Sequence, residues 1–178
     1  LRLRGLQPLE MREQVMMAAT ALRPEEGVLA AGFRLRPATA RDMPWLLEAH
    51  AAMCREDLGV DQVAKNRVGY ERYFLDLIAG DQVTVGEDAG VRVYKSEVAL
   101  KSPQAWLIEG VYTLPEARGR GFARAAMAAV AEEAASQGKL ACLYVHLANE
   151  AALNVYHRVG FQEVCPWTTA LLTRDRAF

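Results

Sequence analysis

The chain has 178 residues, 52% apolar and 24% charged, with a formal net charge of −1, which suits a single globular domain with a sizeable core and excludes a disordered or fibrous chain. So small a net charge argues against a general nucleic-acid surface, and any phosphate-binding site must be local. No apolar stretch approaches the ~20 residues of a bilayer span, no signal-like start is present, and Cys54, Cys142 and Cys165 lack a CxxC spacing; no membrane partner and a cytoplasmic, reducing setting are the expectations.

Residues 1–32 are expected to form an N-terminal helical extension or linker, with a short helix between Pro8 and the Arg23-Pro24 pair. It could be the tail of a preceding domain, an added helix, or an oligomer contact, and a homodimer is therefore kept open. Residues 33–178 form the main domain. "FRLRPAT" (33–39) alternates as a half-buried strand does, and Thr39 opens a helix that runs to Gly59. A second helix in "DQVAKNRVGYERYFLDLIAG" is closed by Gly80. Three strands follow, in "QVTVGED", "GVRVYKSEVAL" and "AWLIEGVYT", with separators short enough for an antiparallel meander. An alanine-rich helix (about 120–136), the strand "LACLYVHLA", the helix "EAALNVYHRVG" and a final strand or hairpin in "FQEVCPWTTALLT" complete the chain. This order predicts a mixed α/β sheet with helices on both faces.

The densest chemistry lies in "PEARGRGFARAAMAAV" (115–130). A strand ends at about Thr113, Pro115 blocks further ladder pairing, and Gly119 and Gly121 precede a helix whose first N–H groups lack partners. Such a helix start binds phosphate readily, and Arg118, Arg120 and Arg124 add charge. A solvated basic turn would use the same residues. A P-loop is excluded, because no Gly-Lys-Ser/Thr follows, and a dinucleotide GxGxxG is absent.

Arg118-x-x-Gly121-x-Ala123 after a strand resembles the pyrophosphate loop of the GNAT superfamily of N-acetyltransferases. "NEAALNVYHRVGF" (149–161) is similar to that superfamily's N-x-x-A-x-x-x-Y-x-x-x-G-F segment. Residues 90–165 are particularly like GNAT enzymes that have an additional N-terminal domain. The resemblance implies a GNAT-type, mostly antiparallel twisted sheet in which two splayed parallel strands bind acetyl-CoA as co-substrate. Val111, Tyr112 and Thr113 would pair with the pantetheine arm, and the backbone from Gly119 through Arg120, Gly121, Phe122 and Ala123 to Arg124, with Arg118, would hold the pyrophosphate. Asn149 would touch the pantetheine region, and Tyr156 would lie near the thioester sulfur as the acid.

The implied function is acetyl transfer to a primary amine of a small molecule or peptide; a non-catalytic acyl-CoA-binding regulatory module is the alternative. For the general base, Glu109 and Glu97 compete. A carboxylate inside a strand is costly unless it is paired, solvated or functional. With a three-residue turn at 102–104 the two lie opposite each other on one face; with a two-residue turn they face apart. The acidic Glu56, Asp57 and Asp61 would favour a cationic acceptor if they line the mouth, or they are ordinary helix-end charge. His50, His146 and His157 have no metal-ligand spacing, so no metal is expected.

Overall fold

The structure is a computed structural model that describes residues 6–19 and 32–174. Its strands are β1 (Leu6–Ala19), β2 (Phe33–Pro37), β3 (Val83–Asp88), β4 (Val91–Lys101), β5 (Ala105–Thr113), β6 (Leu140–His146) and β7 (Phe161–Arg174). The helices are α1 (Met43–Leu58), α2 (Gln62–Lys65), α3 (Arg67–Ala79), α4 (Phe122–Ser136) and α5 (Glu150–Val159). The strands form one sheet in the order β2-β3-β4-β5-β6-β1-β7. Among the described strands only β5 and β6 run parallel; the other pairs are antiparallel. This is the expected mixed, mostly antiparallel GNAT-type architecture.

The N-terminal helix is corrected: residues 6–19 are a strand, paired with β6 on one side and β7 on the other. "MREQVMMAA" is made mostly of helix formers, but Val15 and Met17 stand two apart and both enter the core, and cross-strand burial overrides propensity. Pro8, read as a helix start, sits at a register shift in the β1–β7 ladder, where its missing N–H is tolerated. The Arg23-Pro24 stop lies outside the described residues. The final segment is a single strand rather than a hairpin. The second helix is two, because the Asn66 side chain accepts from Gly69 N–H and restarts the helix there.

Two apolar layers flank the sheet. On one face Met127, Val130, Ala131 and Ala134 of α4, with Tyr156 and Val159 of α5, pack on Met17, Trp106, Ile108, Leu143 and Phe161. The alanines let α4 lie close to the strands. On the other, Leu46 and Leu47 of α1 and Phe74 and Leu77 of α3 cover Val83 and Val85. Asp42, 2% exposed, ties β2 to the start of α1: it accepts two bonds from Arg36, both of 2.8 Å, one from Arg92 at 3.1 Å, and one from Thr39 N–H at 2.8 Å.

Between β4 and β5, Lys101 pairs with Trp106, yet Glu97 pairs with Glu109, so β4 holds one extra residue between Val98 and Leu100. The irregular hairpin thus reaches the same-face arrangement of the two glutamates. A second irregularity follows at once: Lys95 pairs with Tyr112, which gives β5 an extra residue between Glu109 and Tyr112.

Two stability measurements test this account. Met17→Ala empties a site that is 0% exposed near the end of β1, and is expected to cost about 2–5 kcal/mol in urea unfolding; a loss below 1 kcal/mol would mean that β1 is not in the core. The hydrogen bonds from Arg36 hold the Asp42 carboxyl well below the usual carboxylate range against the opposing effect of burial. Its contribution is therefore complete above the unfolded pKa of about 3.9 and is lost as pH falls below it. A pH series of unfolding free energies on Asp42→Asn should show a flatter fall between about pH 5 and pH 2 than the parent.

Candidate active site

The site begins where the parallel strands part. Pairing of β5 with β6 runs from Ala105↔Leu140 to Ile108↔Leu143. Beyond that point β6 continues against β1 as far as His146, while β5 continues against β4. The gap opens into two adjoining clefts of about 770 and 540 Å³ that share Val111, Asn149, Ala152 and Tyr156 as well as Met53, Glu56 and Asp57 of α1.

The larger cleft is lined by Val111, Tyr112 and Thr113 and by Arg118 through Arg124. One turn of 3₁₀ helix at Pro115–Ala117 ends β5, and the chain enters α4 through Gly121, whose φ of 82° only glycine adopts readily. As N-cap it has no side chain to occupy the first-turn N–H groups, which leaves them for a ligand. Arg118 Nη2 lies 2.7 Å from Glu56 Oε2, its Nε donates to the Thr113 carbonyl at 3.0 Å, and Arg120 lies 2.7 Å from Asp88. Exposed pairs of this kind are worth only about 0–1 kcal/mol, so a multiply charged phosphate can replace the carboxylates. The residues present fit a pyrophosphate-bearing cofactor: open backbone amides, three arginines along the wall, and a β5 edge past Ile108 with no described partner on the β6 side.

The two glutamates have different environments. Glu97 is 2% exposed and lines neither cleft: Lys95 Nζ donates to its Oε1 at 2.5 Å and Tyr73 donates to its Oε2 at 2.9 Å. Burial acts to raise its pKa, but the charge of Lys95, with the contact to His50, outweighs burial and holds it below the usual carboxylate range. This corrects the expectation of Glu97 as a base, since its carboxylate is both committed and out of reach. Glu109 is exposed and lines the smaller cleft. Desolvation, and secondarily the charge on Glu97, push its pKa up.

Tyr156, 7% exposed, reaches both clefts from α5. Burial, reinforced by the charge on Asp57, pushes its hydroxyl well above the usual tyrosine value, so it keeps its proton at neutral pH. Asn149 caps α5 by accepting from Ala152 N–H, which puts it at the junction of the clefts. Of the acidic residues on and after α1, Glu56 and Asp57 line the clefts, whereas Asp61 caps α2 and pairs with Arg55 at 2.6 Å. The Tyr112 hydroxyl donates to Glu56 and is pushed up to about 12, first by burial and then by that contact.

Sequence reasoning missed Arg12 and Gln14, which β1 brings to the smaller cleft. The Val15/Met17 alternation was the available signal, and it places Gln14 on the opposite face of the strand. His146 also lines this cleft, with its Nδ1 accepting from Ala148 N–H at 3.0 Å. Trp106 lies in the core, and Trp167 stacks on Tyr144 at 4.6 Å.

Residues 99–171 match the family model described as FR47-like protein. No match was found among curated proteins. A candidate acetyltransferase of the GNAT family from Novosphingobium aromaticivorans is 20% identical, with a TM-score of 0.70 over 96% of this chain and 68% of its own. A GNAT-family acetyltransferase from Colwellia psychrerythraea is 15% identical, at 0.65 over 92% and 57%. A predicted acetyltransferase from Clostridium acetobutylicum, solved with acetyl-CoA, is 21% identical, at 0.59 over 76% and 93%. The chain thus spans little more than half the length of some neighbours. It has the GNAT fold, and the matched segment runs from the end of β4 through the loop, α4, β6 and α5 into β7. Among the described residues no helix is long and apolar enough to cross a membrane.

A Cβ at Gly121 would meet nothing within 4 Å, so Gly121→Ala isolates the cost of the left-handed backbone. A loss of about 1–2 kcal/mol in urea unfolding is expected; no loss would mean that the loop relaxes freely to another conformation.

Proposed function

We propose that the chain is an acyl-CoA-dependent N-acetyltransferase acting on a primary amine of a small molecule or peptide. The observation that supports this best is that Glu109 and Tyr156 line one cleft at the parting of β5 and β6, while the glycine–arginine loop lines the cleft adjoining it. Arg118 to Arg124 would hold the pyrophosphate, and Val111 to Thr113 the pantetheine arm. Acetyl-CoA, when bound, supplies an activated thioester carbonyl. Glu109 takes the proton from the incoming ammonium, directly or through a water, because only the neutral amine has a lone pair to offer. Tyr156, still protonated, donates to the departing thiolate. Glu56 and Asp57 make the α1 wall acidic, which favours a cationic acceptor.

The raised pKa of Glu109 means that the base form is lost as pH falls, so turnover should decline on the acid side, with a midpoint above the ordinary glutamate value. Glu109→Gln is expected to lower kcat about 10²-fold or more and to remove that limb. Tyr156→Phe should lower kcat with CoA affinity kept. A melting shift equivalent to ~2.7 kcal/mol is expected with CoA at 100 times its Kd, and thioester consumption across a panel of amines reads turnover. Absence of any CoA shift would overturn the proposal; a shift without turnover on any amine would leave an acyl-CoA-binding module.

A further inference from the structure

Under the cleft floor, on the face covered by α1 and α3, β4 holds a lysine and a glutamate cut off from water: Lys95 is 0% and Glu97 2% exposed. Such a pair costs several kcal/mol per ion in desolvation, and apolar residues of the same volume often serve stability as well or better. What the pair touches accounts for it better. Lys95 Nζ donates to Glu97 Oε1 at 2.5 Å and to the Gly110 carbonyl at 2.9 Å, and lies 3.4 Å from His50 Nδ1. Glu97 is held from its other side by the Tyr73 hydroxyl. His50 packs between Tyr70 and Phe74, with ring centroids 4.9 and 5.5 Å away.

Gly110 is where β5 takes its extra residue. Its φ is +59°, and a Cβ there would run into the Glu97 carboxylate. A carbonyl turned out of the ladder at such a kink needs a donor. Lys95 supplies it, with the charge assistance that makes such a bond strong. Gly110 stands directly between Glu109 and Val111, both of which line the smaller cleft.

We propose that Lys95 and Glu97 are positioning residues: the ammonium, anchored by the carboxylate, clamps the Gly110 carbonyl and so sets the kink that presents Glu109 and the Val111–Thr113 edge to the cleft. This rests on the cleft being the acyl-transfer site. The clamp touches no reacting atom; it acts through the backbone of β5, and its effect falls on the rate more than on acceptor binding.

The test compares Lys95→Met/Glu97→Gln, which leaves no lone buried charge, with Glu97→Gln alone, which keeps the shape and the Tyr73 contact. Melting with and without CoA and steady-state kinetics on an amine that the parent acetylates are measured for both. The double variant is expected to stay folded and to bind CoA, with kcat at least tenfold lower and acceptor KM within about threefold; Glu97→Gln should show the same split more weakly. If the double variant melts too low to assay, Lys95→Arg, which keeps both charges and moves only the donor on the Gly110 carbonyl, decides in its place, with the same split expected. A folded variant with parental kcat, or equal losses in kcat and CoA affinity that track melting temperature, overturns the clamp. No CoA shift in the parent overturns the site reading and the clamp with it. If Glu109→Gln keeps its rate while the clamp variants lose theirs, the base assignment is overturned and the clamp stands.

Discussion

The site depends on a single backbone irregularity: the extra residue in β5 at Gly110, at the level where pairing with β6 stops. Side chains alternate faces along a strand, so without it Val111 would share the face of Glu109. With it, Val111 packs toward α4, and Tyr112 turns to the α1 side, where its hydroxyl reaches Glu56. One added residue therefore changes the identity of the side chains on each wall. Bulges are known to re-aim side chains next to active sites, and this one leaves a strand edge unpaired without breaking the ladder to β4.

The same irregularity divides two chemically identical carboxylates. Glu97 and Glu109 are directly opposite in the ladder, and neither could stay ionised cheaply if both were buried alone. Lys95 neutralises the first and, with Tyr73, fixes it among α1 and α3; the second projects into the cleft, where desolvation and the charge on Glu97 raise its pKa. The arrangement follows a general pattern in which paired titratable groups are pushed apart by environment. Here the partition is set by which residue has a lysine two positions away on the same face.

Much of the wall of the larger cleft was legible in the sequence, because it is made from residue types that the backbone itself demands. Gly121 answers to a left-handed φ, Asn149 to a helix cap, and the alanines of α4 to close approach on the sheet; each constraint appears locally. The choice between Glu97 and Glu109 was not legible, although their pairing was foreseen for one turn length. It depends on Lys95 meeting His50 of α1, a contact between residues 45 apart in the chain. The N-terminal strand was missed for a related reason: Met, Arg, Glu, Gln and Ala favour a helix in isolation, and only β6 and β7 together offer the edges that make Leu6–Ala19 extended.

That strand also shapes the smaller cleft. β6 and β7 do not pair with each other; β1 lies between them and bonds to both, so the far end of the sheet is continuous only through the N-terminal segment. From the same strand Arg12 donates to the Asp57 carbonyl at 2.7 Å, joining the end of α1 to the β1 wall across the smaller cleft. In the proposed reading the acceptor would meet walls built largely from β1 and α1, both outside residues 99–171 that match the family model, while the loop and helix that would hold the donor lie inside them. A common donor imposes common backbone geometry, whereas the acceptor is met by ordinary side chains whose meeting point is decided only by strand order. For that reason the proposed donor rests on a motif, whereas the proposed acceptor would be recognised by the chemistry of Arg12, Glu56, Asp57 and His146, which line the clefts.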